Sequence, residues 1–183
     1  MKRQVLALTG KIRLYTLDER LVLYCQQKMF RLKEDIRAYA DEDMSQELLY
    51  IQARNIIDFS AAYDVIDSTS SENVGVLRRK GFRSLLRDEW ELLDPQGRML
   101  GVLCEDNVTR ALLRRLLLGT LLPQDYDILI GETRVADLRQ RFNLFRYEMD
   151  IDFSMDTVRR LDRRLGIAAA ILLGIIEGRQ QSN

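Results

Sequence analysis

Apolar and polar positions alternate most regularly in YEMDIDFS, where Tyr147, Met149, Ile151 and Phe153 interleave with Glu148, Asp150, Asp152 and Ser154. A period of two sustained over such a run is a strand with one buried face and one wet face. Shorter runs of the same kind are IRAYAD from Ile36, YDVID from Tyr63, WELLD from Trp90 and YDILIG from Tyr126, and the first three open 27 residues apart. Most are preceded by a second run with basic residues near its end: LVLYCQQKMF, ELLYIQAR, NVGVLRRKGF and TRVADLRQRF. Each such pair predicts a β-hairpin. For the last pair, a loop over 143–146 sets Phe142 opposite Tyr147, Arg141 opposite Glu148, Arg139 opposite Asp150 and Leu138 opposite Ile151. Apolar residues then meet on one face and opposite charges on the other, the agreement that fixes a register. Asp94-Pro95-Gln96-Gly97 is a strong turn between ELL and MLGVL, and STSSEN from Ser68 is a looser one.

Two segments read as helical. In DNVTRALLRRLLLG, over 106–119, Asp106 or Asn107 serves as a cap and Gly119 as a stop. Arg110, Arg114 and Arg115 flank its leucines, so it is expected as an amphipathic connector on the sheet, with a membrane surface as the alternative. The second helix is expected over 156–177 in a stretch that contains LDRRLGIAAAILLGIIEG, and residues 165–176 carry no charged or strongly polar side chain. That apolar part is roughly 18 Å long, whereas a bilayer core is about 30 Å thick, so it cannot span one. It also lacks the polar face of an interfacial helix; a helix apolar all round is enclosed by protein. Gly166, Ala170 and Gly174 give it one slim face. In a chain rich in short amphipathic strands, the enclosure that fits is a closed or nearly closed antiparallel barrel with this helix as its plug.

Composition narrows the chemistry. The 183 residues suit a single domain over 1–183, and the 28 basic and 28 acidic side chains cancel, so no overall field draws the chain to nucleic acid or an acidic membrane. Arginine supplies 23 of the basic residues, a bias towards bidentate pairing with carboxylates or phosphates. Histidine is absent, which excludes histidine general acid/base chemistry, Ser-His and Cys-His pairs and imidazole metal sites. Cys25 and Cys104 stand far apart without a CxxC partner and read as buried strand residues. The apolar run from Val5 to Leu8 is too short for a signal-peptide core, so a cytoplasmic location is expected. Carboxylates on alternate positions of YEMDIDFS lie about 6.5–7 Å apart, too far for neighbours to share one ion, and read as an arginine-paired ladder. Asp41-x-Asp43-x-Ser45 begins like a calcium loop, but Gln46 stands where glycine is needed and Gln52 where glutamate is, so it reads as an acidic turn.

The repeated strand pairs, the segment RQRFNLFRYEMDIDFS and the terminal LDRRLGIAAAILLGIIEG together resemble the LURP-one-related family, whose relatives are the phospholipid scramblases and the tubby C-terminal domain. The resemblance covers residues 21–179. It implies a mainly β fold, a tubby-like antiparallel barrel of about twelve strands around a hydrophobic C-terminal helix. It also implies a non-enzymatic protein that binds an anionic phospholipid headgroup at a membrane surface, or a protein partner. The ligand-binding candidates are Arg78, Lys80, Arg83 and Arg87 in VLRRKGFRSLLRD, with Arg78 and Lys80 outward by alternation and Arg79 inward. The plainer reading of these residues is a solvated edge ion-paired to Asp88 or Glu89. A scaffold without a ligand and, below it, a carboxylate-dependent enzyme are the alternatives. Neither a cofactor nor a metal is indicated, nucleic acid is not expected, and no transmembrane segment is expected.

Overall fold

The computed structural model describes residues 2–8, 11–26, 35–54, 61–80, 89–105, 124–141 and 147–180, with backbone alone for 2–8 and 176–180. Its strands are β1 (Lys2–Leu8), β2 (Lys11–Thr16), β3 (Leu21–Gln26), β4 (Ile36–Tyr39), β5 (Glu47–Ala53), β6 (Ala62–Asp67), β7 (Glu72–Arg79), β8 (Glu89–Leu93), β9 (Met99–Glu105), β10 (Asp125–Ile130), β11 (Thr133–Arg141) and β12 (Tyr147–Asp152). One helix, α1 (Arg163–Gln180), follows. The fold is mainly β, with antiparallel strands in one sheet. From β2 to β12 each strand pairs with its neighbour in sequence. β1 is hydrogen-bonded along both edges, to β2 and to β12.

The hairpins expected from the paired runs form as β3–β4, β5–β6, β7–β8 and β11–β12. In β11–β12 the register is the expected one: Leu138 faces Ile151, Arg139 faces Asp150 and Arg141 faces Glu148. Phe142, like the loop over 143–146 and the connector over 106–119, lies outside the described residues. β1 and β2 were not expected as strands, although Ile12 and Leu14 of β2 alternate inward. The turn at Asp94 forms, with the Gly97 N–H donating to the Asp94 carbonyl and the Asp94 N–H to Arg98. The acidic turn at Asp41 also forms, its carboxylate accepting from the Ser45 N–H at 3.1 Å.

Every strand from β2 to β12 sends apolar side chains into one core with α1, among them Ile12, Leu23, Ile51, Val65, Leu92, Leu103, Ile128 and Met149. All residues of 165–175 are buried. The all-round apolar helix is therefore satisfied by protein on every side for which side chains are described. Two glycines mark close approaches around the helix. A Cβ at Gly75 would meet the Leu93 carbonyl oxygen at 2.6 Å and the Leu165 side chain at 3.3 Å, and the β6–β7 register shifts at this point. A Cβ at Gly166 would meet Phe153 Cε1 at 2.6 Å, so the slim face of the helix receives an aromatic ring.

The helix begins later than expected, at Arg163 instead of residue 156, and runs to Gln180 instead of residue 177. The start is displaced because Asp156 accepts hydrogen bonds from the N–H groups of Arg160 (2.8 Å) and Leu161 (3.1 Å), closing a loop. Arg159 in that loop has a left-handed φ of 55°, which no α-helix accommodates. Asp162 then acts as the N-cap, accepting from the Arg164 N–H at 2.9 Å. The far end extends past the apolar run because backbone hydrogen bonding does not stop where hydrophobicity does.

Candidate functional site on the outer face

The expected ligand-binding residues divide. Arg83 and Arg87 lie outside the described residues. Arg78 and Lys80 point outward, with side chains 47% and 44% exposed. Arg78 pairs with Glu91 at 2.6 Å, and Lys80 pairs with Glu89. Register explains this, since Arg78 faces Glu91 across β7–β8. The hydrogen bond that Lys80 donates to Glu89 also holds its ammonium above the usual pKa. These two cations are thus already matched by carboxylates on the neighbouring strand.

A denser network lies at the end where α1 begins. Asp156 has a side chain only 1% exposed and carries a salt bridge from Arg163 at 2.9 Å besides its two backbone donors. Burial pushes its carboxyl up, but the Arg160 and Leu161 N–H groups and the Arg163 charge outweigh that and hold it below the usual carboxylate range. Arg164 joins three acids, Asp162 (2.7 Å), Asp67 (2.7 Å) and Glu72 (2.8 Å), and so ties the helix start to the β6–β7 turn. Hydrogen bonds from Thr69 and from Arg164 hold Asp67 well below its ordinary pKa.

Among the described residues the outer face carries an open cleft of about 700 Å³ along β11 and β12, lined on its apolar side by Leu17 of the β2–β3 turn and Met155. Arg134, Arg139 and Arg141 line it, interleaved with Asp137, Asp150 and Asp152. Arg139 is engaged through Nε by Asp137 at 2.8 Å, and Arg141 through Nε by Asp150 at 2.7 Å. The ladder expected from the sequence exists, but its partners are displaced. Arg139 pairs along its own strand and Arg141 pairs diagonally, while the directly facing residues are Asp150 and Glu148. The long arginine stems reach these partners across a twisted sheet. What sequence reasoning missed was the concavity: the residues were legible as a charge ladder, but the approach of Leu17 to that ladder depends on a turn distant in sequence.

Among the described residues no group of His, Cys, Asp and Glu could hold a metal ion, and no helix is long and apolar enough to cross a membrane. Cys25 and Cys104 are buried on β3 and β9 and are not joined in a disulfide. The profile of LURP-one-related proteins matches residues 21–174, running from β3 into the buried part of α1. The chain belongs to the LURP-one-related family. The LURP-one-related span contains every lining residue of the cleft except Leu17, and it contains the Asp156 and Arg164 network. No curated protein and no solved structure matches the chain.

Proposed function

We propose that this LURP-one-related protein is a non-catalytic binding domain: a closed, tubby-like barrel of about twelve strands, related to the scramblase type, whose outer surface takes an anionic ligand such as a phospholipid headgroup. The pairing of β1 with both β2 and β12 supports closure. One observation carries the binding reading. The core beneath the sheet is filled by α1, whose residues 165–175 are all buried, so the outer face is the surface open to a ligand among the described residues. Arginine, the dominant cation of the chain, suits phosphate there. The protein acts in the cytoplasm and meets a membrane peripherally. Flotation with neutral and with acidic vesicles tests this: recovery that rises with acidic lipid and falls with added salt is expected, and recovery indifferent to lipid charge overturns it.

A scaffold role is the second reading, and the ion pairing of Arg78 and Lys80 favours it, because cations matched within the sheet leave less field for a soluble anion. Light scattering on the eluting protein discriminates: a strict monomer removes the self-assembling form of this reading.

A further inference from the structure

We propose that the β11–β12 cleft binds an aminoalkyl phosphate, a phosphate ester carrying a primary ammonium group, through Arg139 and Arg141 on the phosphate and Asp150 and Asp152 on the ammonium. This rests on the anion-binding reading above and deepens it. The cleft volume of about 700 Å³ is that of a small-molecule site. Its lining is balanced, with three arginines against three aspartates, so a polyanion entering it meets carboxylates as well as guanidinium groups.

The grid of charges sets the ligand class. Arg139 and Arg141 are alternate residues of one strand, so they rise from the same face about 7 Å apart. Each is held by its Nε, and a guanidinium has five N–H donors, so donors remain for an oxyanion between the two forks. Asp150 and Asp152 have the same spacing on β12, one strand away, with Asp150 facing Arg139 and Asp152 facing Asp137. Asp150 is bound through Oδ2 and its side chain is 39% exposed, and a carboxylate has about four acceptor positions. A phosphate on the β11 row and an ammonium on the β12 row are therefore about one strand spacing, roughly 5 Å, apart. A short aminoalkyl linker crosses that gap. The exposed Leu17 and the half-buried Met155, both lining the cleft, offer apolar contact to the linker or to the glycerol side of a lipid.

The test is calorimetric titration of the full chain with O-phosphoethanolamine and with glycerol 3-phosphate, alongside flotation on vesicles containing phosphatidylserine, phosphatidylethanolamine or phosphatidylglycerol. Tighter binding of the amine-bearing phosphate is expected, weakened about tenfold or more by Arg139→Gln and by Arg141→Gln, as for loss of a charged hydrogen bond. Asp150→Asn is expected to erase the preference for the amine while leaving phosphate binding, and Arg54→Gln, at a surface arginine paired with Asp64 away from the cleft, to leave both unchanged. Binding of the free ester without vesicle recovery assigns a soluble ligand; recovery on amine-bearing vesicles assigns a lipid headgroup. Equal binding of the two phosphates, or binding indifferent to Arg139→Gln and Arg141→Gln in folded variants, overturns this proposal and leaves the anion reading standing. Failure of every phosphate and every acidic vesicle overturns both.

Discussion

At the residue scale, the buried carboxylate of Asp156 shows how a short loop is held rigid. Its carboxylate takes two backbone donors and one guanidinium, so Asp156→Ala leaves buried N–H groups and Arg163 without their acceptor. A loss of about 2–4 kcal/mol is expected, measured by urea unfolding with an unchanged slope. The acids of this end also set a pH response. Asp67, Asp156 and Asp162 are held below the ordinary carboxylate range in the folded chain. The unfolded chain titrates near about 4, so it binds the more protons between that value and the depressed folded ones. The stability these groups contribute is thus complete above about pH 4 and is lost as pH falls below it towards the folded values. Thermal melts should show this acid-side fall, and Arg164→Gln, which removes a partner of Asp67 and Asp162, should make it shallower. An unaltered acid limb in that variant would show that Arg164 does not hold these carboxyls down.

At the element scale, α1 is defined by what stops it and by what touches its slim face. Asp162 and the left-handed Arg159 set its start, where apolar periodicity alone suggested a longer helix. Phe153 packs closely on it, since a methyl group at Gly166 would sit 2.6 Å from the ring. The ring cannot swing freely, because the Arg163 guanidinium lies 4.8 Å from its centroid and Phe153 is buried. Gly166→Ala gains about 1 kcal/mol of helix propensity but is expected to be destabilising by about 1–3 kcal/mol net through overpacking. Combining it with Phe153→Leu should cost less than the sum of the two single changes, a coupling that a double-mutant cycle on denaturation free energies reads directly.

At the scale of the whole molecule, one apolar core joins the sheet to the helix, and its tolerance differs sharply from that of the outer face. Ala169 is 2% exposed, and Gly174 is buried too, so Ala169→Asp or Gly174→Glu places a carboxylate in a buried, apolar setting. The cost is several kcal/mol for an unpaired charge, and insoluble protein is expected on expression. Arg78→Gln removes a half-exposed surface pair and should change stability by no more than about 1 kcal/mol. Normal melting of Ala169→Asp would contradict the burial of α1 within the sheet.

The sequence by itself determined the strands whose alternation is clean, the hairpin register at Leu138–Ile151 and the enclosure of the C-terminal helix. These are local or pairwise properties: a period of two selects a face, facing charges select a register, and an unbroken apolar surface forces burial. It also made Arg78 and Lys80 legible as an outward pair, and the structure supplied Glu91 and Glu89 as their partners. Only the tertiary structure decided that β1 bonds to both β2 and β12, because pairing between chain ends leaves no mark in either segment. The same holds for the meeting of Arg164 with Asp67, for the seat of Phe153 on Gly166, and for the meeting of Leu17 with the β11–β12 ladder in one cleft. Each is set by distances between residues far apart along the chain, which periodicity cannot encode.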